Sequence, residues 1–296
     1  MLQTCIIFNP SARGNKAESF CSKLEALCQG SALRRTTGPG GARALAAQAV
    51  HEGFSTIVAA GGDGTANEVV NGIGDVPGGF SSARLAILPL GTINVFAREL
   101  GLPRNLQGVA KAITAAKERV IDLGVAEFQR DGKPERRYFL QLAGAGIDSR
   151  AIELVSWGLK KKIGPLAYVW AGFKALLEKQ PNITVDAGRR VSGELILVGN
   201  GKFYGGSFAA FPKASLEDGM LDVCVIEKVA VLRVVELLLG YFSGNLFRFC
   251  PAVHLSAPKM TFASDSRALL QVDGENAGDL PVTFSVLPKV LRVVAP

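Results

Sequence analysis

IVAAGGDGTANEVVNG, residues Ile57 to Gly72, is the stretch on which the fold turns. An apolar run passes directly into three glycines and then into a helical pattern. Gly61, Gly62 and Gly64 let a ligand approach the backbone closely. Their N–H groups, with those opening the helix, suit phosphate oxygens. Thr65 can cap that helix or donate to a phosphate. Asp63 would repel bare phosphate, so it implies a bridging cation or a proton-transfer network. The run is not a Walker A loop, which ends Gly-Lys-Ser/Thr, nor the Gly-x-Gly-x-x-Gly dinucleotide fingerprint. Asn67, Glu68 and Asn71 add polar groups to the first turns of the helix, beside the glycines.

Two further loops have the same form. LAILPLGTINVFAREL, Leu85 to Leu100, ends its apolar run at Gly91-Thr92 and then Asn94. Thr4–Phe8 is a β-rich run followed by Asn9, Pro10, Ser11, Ala12, Arg13 and Gly14. Between these runs lie helical patterns at Ala17–Leu27 and Ala42–His51, the strand Phe54–Ala60, the helix Ala66–Val70 and a helix opening at Val95. Alternating strands and helices predict a parallel sheet covered on both faces. In such a sheet the three loops meet at the carboxyl ends of the strands, where ligands bind.

After about Val120 the pattern changes. Short β-rich runs follow at Tyr138–Leu142, Ile183–Val185, Glu194–Val198, Leu221–Ile226, His254–Ala257, Met260–Ala263, Leu269–Val272 and Val282–Val286. Helical stretches at Leu166–Lys179 and Val229–Leu239 interrupt them. These runs predict an antiparallel sheet or sandwich with helical insertions. The expected division is an α/β domain over 1–121 and a β-rich domain over 122–296, with the boundary near Arg119–Asp122.

Composition narrows the chemistry. The 296 residues are 48% hydrophobic, and Lys plus Arg (33) exceed Asp plus Glu (26), for a net charge of +7. Anionic partners are favoured, and net charge does not choose among them. The five cysteines contain no Cys-x-x-Cys pair and there are two histidines, which argues against zinc and against a disulfide framework. The opening MLQTCIIFNP lacks the basic region and cleavage site of a signal peptide and reads as a first strand. No apolar stretch has the length of a membrane span, and a cytoplasmic location is expected. Lys and Arg are scattered with no recognisable nucleic-acid-binding motif.

These residues together resemble the diacylglycerol kinase catalytic family, in its bacterial lipid-kinase-like branch, with sphingosine and ceramide kinases as more distant relatives. The resemblance is carried by Asn9-Pro10-x-x-x-Gly14, Gly61-Gly62-Asp63-Gly64-Thr65-x-Asn67-Glu68 and Pro89-x-Gly91-Thr92-x-Asn94. It continues through Asp122-x-Gly124, Gly144-x-Gly146-x-Asp148, Asn200-Gly201, Tyr204-Gly205-Gly206, Asp218-Gly219-x-x-Asp222 and Asp273-Gly274-Glu275. The glycine-rich run is shared in outline with NAD kinase and 6-phosphofructokinase relatives. The Tyr-Gly-Gly and Asp-Gly-Glu segments point to lipid kinases. Three features depart from the family pattern: the first loop reads Asn9-Pro10-Ser11-Ala12-Arg13-Gly14 rather than the commoner Asn-Pro-x-Ser-Gly, Gly41 stands where an aspartate is common, and Ile93 where many members carry glycine.

The resemblance implies an NAD kinase/diacylglycerol kinase-like fold, an α/β nucleotide-binding domain and then a β-sandwich-like domain, with the last segment packing back on the first. It implies ATP and Mg²⁺. Asn9, Pro10, Ser11, Ala12, Arg13, Thr36, Gly62, Asp63, Gly64, Thr65, Ala66, Asn67, Glu68 and Thr92 would surround ATP. Asp273 would be the general base for a lipid hydroxyl, with Glu275 and Asp63 in the same proton and magnesium network. Ser215, Asp218 and Met220 would hold a second, structural magnesium ion through one carboxylate and two carbonyls. The alternatives are a kinase of a soluble hydroxyl substrate, as in NAD kinase, and a non-catalytic nucleotide or lipid sensor. Two aromatic and basic clusters, Trp157–Gly164 and Tyr241–Phe249, could touch an anionic membrane peripherally, and a homodimer is allowed.

Overall fold

The computed structural model describes residues 4–12, 22, 24, 30–103, 106–115, 117–146, 180–206 and 208–296, and the structural statements below concern these. The expected helices Ala17–Leu27, beyond Ser22 and Leu24, and Leu166–Lys179 lie outside them, as do Arg13, Gly14, Asp148 and the Trp157–Gly164 cluster.

In chain order the first half contains β1 (Thr4–Phe8), β2 (Ala32–Arg35), α1 (Gly41–His51), β3 (Thr56–Gly61), α2 (Asp63–Gly74), α3 (Gly79–Ser82), β4 (Arg84–Pro89), α4 (Val95–Glu99) and α5 (Leu106–Ala115). Every residue of β3 is buried, as a central parallel strand covered on both faces requires. Strands β2, β1, β3 and β4 lie side by side and parallel. One sheet face packs against Ala46 and Ala49 of α1 and Val69, Val70 and Ile73 of α2. Gly72 lets those helices touch: a Cβ there would lie 2.2 Å from the Arg43 carbonyl oxygen.

The second half contains β5 (Glu118–Arg130), β6 (Lys133–Phe139), β7 (Leu142–Gly146), β8 (Ile183–Asp186), β9 (Arg190–Gly193), β10 (Leu195–Gly199), and the two-residue strands β11 (Phe203–Tyr204) and β12 (Phe208–Ala209). It continues with β13 (Leu221–Ile226), α6 (Val231–Ser243), β14 (Val253–Ala257), β15 (Lys259–Ser264), β16 (Leu269–Val272), β17 (Glu275–Asp279) and β18 (Val282–Val294). Strands β14, β13, β10, β7, β16 and β17 form a six-stranded sheet. This sheet faces the strands around β18 across a core containing Phe139, Phe262 and Phe284. The architecture is a parallel α/β sheet joined to a β-sandwich-like unit.

The two units share a strand. β18 is parallel to β4 at Val293 and Leu85, and antiparallel to both β5 and β15. The last segment of the chain is therefore built into the first sheet. Residues 121 and 122 fall inside the long strand β5.

One sequence expectation is corrected here. Tyr138–Leu142 reads as one strand, yet β6 stops at Phe139 and β7 starts at Leu142. The N–H groups of Leu140, Gln141 and Leu142 all donate to the carboxylate of Asp273, at 2.8, 3.0 and 3.0 Å. Three successive amides aimed at one anion form a concave nest rather than a ladder.

Candidate functional site

The site is built from loops held to one another by backbone bonds. Leu90 and Gly91 N–H donate to the Gly61 carbonyl at 2.8 and 3.3 Å, and Asn9 N–H to the Ala60 carbonyl at 3.0 Å. Asn9 Nδ2 also donates to Thr65 Oγ1 at 3.0 Å, and Asn9 Oδ1 accepts from Ser11 N–H, which closes the turn Pro10–Ala12. Gly62 and Gly91 meet backbone to backbone, since a Cβ on Gly91 would lie 2.7 Å from Gly62 Cα. Asn94, at φ 52°, folds its own loop by accepting from Gly91 N–H and donating to its carbonyl. The first, second and third polar loops thus share one edge of the parallel sheet.

The expected nucleotide residues divide by position. Gly62 and Gly64 are half-buried in the turn, Ala66 is buried in α2, and Thr92 is exposed. Thr65 is buried and its hydroxyl holds Asn9. Both carboxylate oxygens of Glu68 are engaged: Oε1 accepts from Gly40 N–H at 2.9 Å and Oε2 from Ala42 N–H at 2.8 Å. Glu68 therefore stabilises the start of α1 and fixes the loop that carries Thr36, whose N–H donates to Phe8. Asp63 Oδ1 accepts from Phe96 N–H at 3.3 Å, at the opening of α4. Burial pushes the Asp63 carboxyl above its ordinary range, opposed by bonds from the Val95, Phe96 and Asn94 backbone.

Asp273 connects the two halves. It lies with Gly274 in the two-residue turn of the β16–β17 hairpin, both with positive φ, 46° and 83°, as a primed turn requires. Its Oδ2 accepts from Asn67 Nδ2 at 2.8 Å, in addition to the three N–H donors already described. All four lone-pair positions are occupied. Burial pushes this carboxyl up, opposed by its donors, Leu142 first. Asn67 Nδ2 also donates to the Tyr138 carbonyl at 3.0 Å, and Asn71 exchanges two bonds with the Tyr138 backbone at 2.9 Å each. The polar face of α2 therefore fixes the position of the strand end that cradles Asp273. Glu275 reaches the glycine turn as well: a Cβ on Gly64 would lie 2.8 Å from Glu275 Oε1.

Two participants, Glu99 and Gln141, carry no signal in the sequence pattern, and a third is Asn200 of the Asn200-Gly201 segment. Glu99, ending α4, accepts at one oxygen from Gln141 Nε2 (3.0 Å), Lys202 N–H (2.8 Å) and Phe203 N–H (3.2 Å). Buried Gln141 adjoins Asp273 through its backbone, and buried Asn200 donates to the Leu140 and Asp122 carbonyls. Asp63 and Glu99 thus hold opposite ends of the five-residue helix α4, one toward the glycine turn and the other toward the Asp273 cradle.

Ser215, Asp218 and Met220 lie in the segment before β13, apart from these bonds. Ser215 Oγ accepts from Glu217 N–H at 3.2 Å, and Asp218 Oδ1 from Met220 N–H at 3.0 Å. Burial and then the neighbouring Asp218 charge push the Asp222 carboxyl up. Asp122, wholly buried beneath, accepts from Gly219 N–H at 2.6 Å and Lys289 N–H at 2.7 Å. Among the described residues no cluster of three His, Cys, Asp or Glu side chains could hold a metal. A hard cation here would draw on one or two carboxylates, with carbonyls and water completing its shell, which is how magnesium is commonly held.

Two family models match the chain: the diacylglycerol kinase catalytic domain over residues 3–126, and the YegS C-terminal NAD kinase beta sandwich-like domain over residues 141–295. A diacylglycerol kinase of Staphylococcus aureus (strain MRSA252) is 29% identical over 299 residues, covering 98% of this chain and 91% of the relative. Among solved structures, a diacylglycerol kinase from Bacillus anthracis str. Sterne superposes with a TM-score of 0.73 at 21% identity, over 100% of this chain and 97% of that one. Yeast NADH kinase complexed with NADH superposes with a TM-score of 0.56 at 13% identity, over 100% and 84%. At these identities the structural likenesses speak to the fold. No helix among the described residues is long and apolar enough to cross a membrane.

Proposed function

Because this chain belongs to the diacylglycerol kinase catalytic-domain family, and is thereby a kinase-type phosphotransferase, we propose that it transfers the γ-phosphoryl group of ATP to the hydroxyl of a lipid. The observation that carries the reading is the bond between Asn67 and Asp273. It sets a carboxylate of the second half directly against the helix that follows the glycine turn. Phosphate held at that turn would lie on one side of Asp273, leaving the other for an acceptor.

In this reading the Gly62–Thr65 turn and the opening of α2 receive the phosphates, where N–H groups favour an anion without a side-chain cap. Asn9 and Ser11 shape the first loop around it. Asp273 takes the proton of the acceptor hydroxyl as the phosphoryl group arrives. Three of its four donors are backbone amides fixed by the chain. Asn67 is a side chain, so its bond is the one an incoming hydroxyl displaces. Burial that raises the Asp273 carboxyl makes it a stronger base once ionised. Glu275, over Gly64, orients the acceptor side. Mg²⁺, near Asp63 and separately near Asp218, would supply the positive charge that offsets phosphate and carboxylates.

The test is Asp273→Asn, which keeps the size and the turn. Turnover on lipid should fall about a hundred- to ten-thousand-fold, with ATP affinity by calorimetry nearly unchanged. Turnover within a few-fold of wild type would place the base elsewhere.

A further inference from the structure

The helix α6 carries an apolar face turned to solvent. Phe242 is 82% exposed, Leu232 64%, Leu239 54% and Val235 46%, at spacings of three, four and three residues. Those spacings place all four on one side of a helix. The opposite side is committed inward: Leu237 and Tyr241 pack on the core beneath, and a Cβ on Gly240 would lie 2.1 Å from the Leu246 carbonyl oxygen. Phe249, 49% exposed, extends the apolar surface beyond the end of the helix, with the Arg248 guanidinium 5.5 Å from its ring centre.

We propose that this face docks the protein on an anionic bilayer surface, and that it does so beside the polar loop that packs against the glycine turn. The proposal rests on the lipid-acceptor reading above and adds the surface from which that lipid is taken.

Charge selects the occupant. From Glu227 to Cys250 there are three basic residues, Lys228, Arg233 and Arg248, and two acidic ones, Glu227 and Glu236, the second paired to Arg233 at 2.6 Å. The face is thus apolar with a local excess of one positive charge and Arg248 beside Phe249, on a chain of net charge +7, a balance that suits anionic lipid. A second copy of the chain is a poorer occupant. From Leu232 to Phe242 the stripe is about 15 Å long, and one helix width makes it about 150 Å² in footprint, against roughly 800 Å² per partner in a stable interface. A bilayer needs no such matching area.

Continuity with the site gives the docking a purpose. The Tyr241 ring stacks on Phe208 with centroids 3.6 Å apart. A Cβ on Gly206 would be 3.4 Å from the Phe208 ring and 3.9 Å from the Ile93 side chain. Ile93 belongs to the loop that packs against the glycine turn. From the docking helix to the nucleotide loop there is therefore one stacked pair of rings and one glycine.

The experiment compares the full chain with Leu239→Glu/Phe242→Glu, two exposed positions whose replacement leaves the core untouched. Cosedimentation uses phosphatidylcholine vesicles with and without phosphatidylglycerol. Phosphorylation is measured on one acceptor lipid, presented in those vesicles and in a short-chain form dissolved as monomers. The expected result is wild-type binding that depends on phosphatidylglycerol and weakens at least tenfold in the variant. Turnover on vesicles should fall similarly, with turnover on monomers unchanged. Equal vesicle binding by both proteins would overturn the docking and leave the lipid-kinase reading intact. Conversion of a wild-type dimer to monomer by the variant, with vesicle binding unaltered, would give the face to a second copy and also overturn it. Vesicle binding lost in the variant, while wild type labels no lipid in either form, would support the docking and refute the acceptor reading instead.

Discussion

Replacing Asn67 with aspartate tests how Asp273 is held. Asn67 Nδ2 lies 2.8 Å from Asp273 Oδ2, and Asn67→Asp substitutes an oxygen for that donor at nearly the same place. Two ionised carboxylates at that distance repel by about 6 kcal/mol at an effective dielectric near 20, equivalent to about four pKa units. Relaxation will reduce this, so it is an upper bound. The pair escapes by retaining one proton between its oxygens at neutral pH, as close carboxylates do. A base that already carries a proton cannot accept another. At pH 7 kcat should therefore fall about a hundred- to ten-thousand-fold, and activity should return as the pH is raised. The assay is the pH profile of kcat/KM between pH 5 and 10. Wild type should already show its acid limb above the ordinary aspartate range of about 3.9, because burial pushes the Asp273 carboxyl up and the ionised form is the active one. In the variant the limb should move further up. If the two profiles overlie, Asp273 is not the titrating base and the bond to Asn67 has no catalytic consequence.

Two substitutions in α2 separate stability from chemistry. Gly72→Ala drives a Cβ to 2.2 Å from the backbone oxygen of Arg43, which no side-chain rotation relieves, so thermal unfolding should fall by roughly 5–10 °C for about 2–3 kcal/mol of overpacking; an unchanged midpoint would mean that α1 and α2 are not in contact there. Asp63→Asn should weaken ATP binding and yet leave the protein at least as stable at neutral pH. A carboxyl raised by burial favours the folded state below its ordinary pKa, and that contribution is lost as pH rises through the folded value. The variant's advantage in urea unfolding should therefore shrink as the pH is lowered toward about 4. A variant less stable at pH 7 would show that the bonds from Asn94, Val95 and Phe96 outweigh the burial.

The parts of the fold that were legible in the sequence are those with local causes. β1, β3 and β4 are apolar runs ended by Asn9, Gly61 and Pro89, and α2 follows its glycines without interruption. The parts that were not legible depend on residues far along the chain. Tyr138–Leu142 has the pattern of one strand, and the anion that interrupts it comes from Asp273, more than 130 residues later. Gly124 lies mid-strand in β5 because the Phe139 ring occupies the space of a side chain, with its nearest atom 2.3 Å from an ideal Cβ. Glu68 belongs to a phosphate-type motif, yet its two oxygens stabilise the neighbouring α1. Glu99 and Gln141 lie in unremarkable sequence, and they join Asn200 of the Asn200-Gly201 segment in one network only when the end of α4 and the turns before β7 and β11 are brought together. The Asp-Gly of residues 273–274 was readable as a turn, and only the folded chain shows that the turn presents its aspartate to Asn67.

The proposed reaction requires a lipid hydroxyl as the phosphoryl acceptor. The most direct measurement is incubation of the purified chain with γ-³²P-ATP, Mg²⁺ and a total bacterial lipid extract supplemented with soluble metabolites, followed by phase partition and thin-layer separation. Label should enter the organic phase as a phosphorylated lipid, and Asp273→Asn should lower it by about a hundred- to ten-thousand-fold. Label confined to a water-soluble metabolite, with the organic phase blank, would make the chain a kinase of a soluble alcohol and rule out a lipid acceptor.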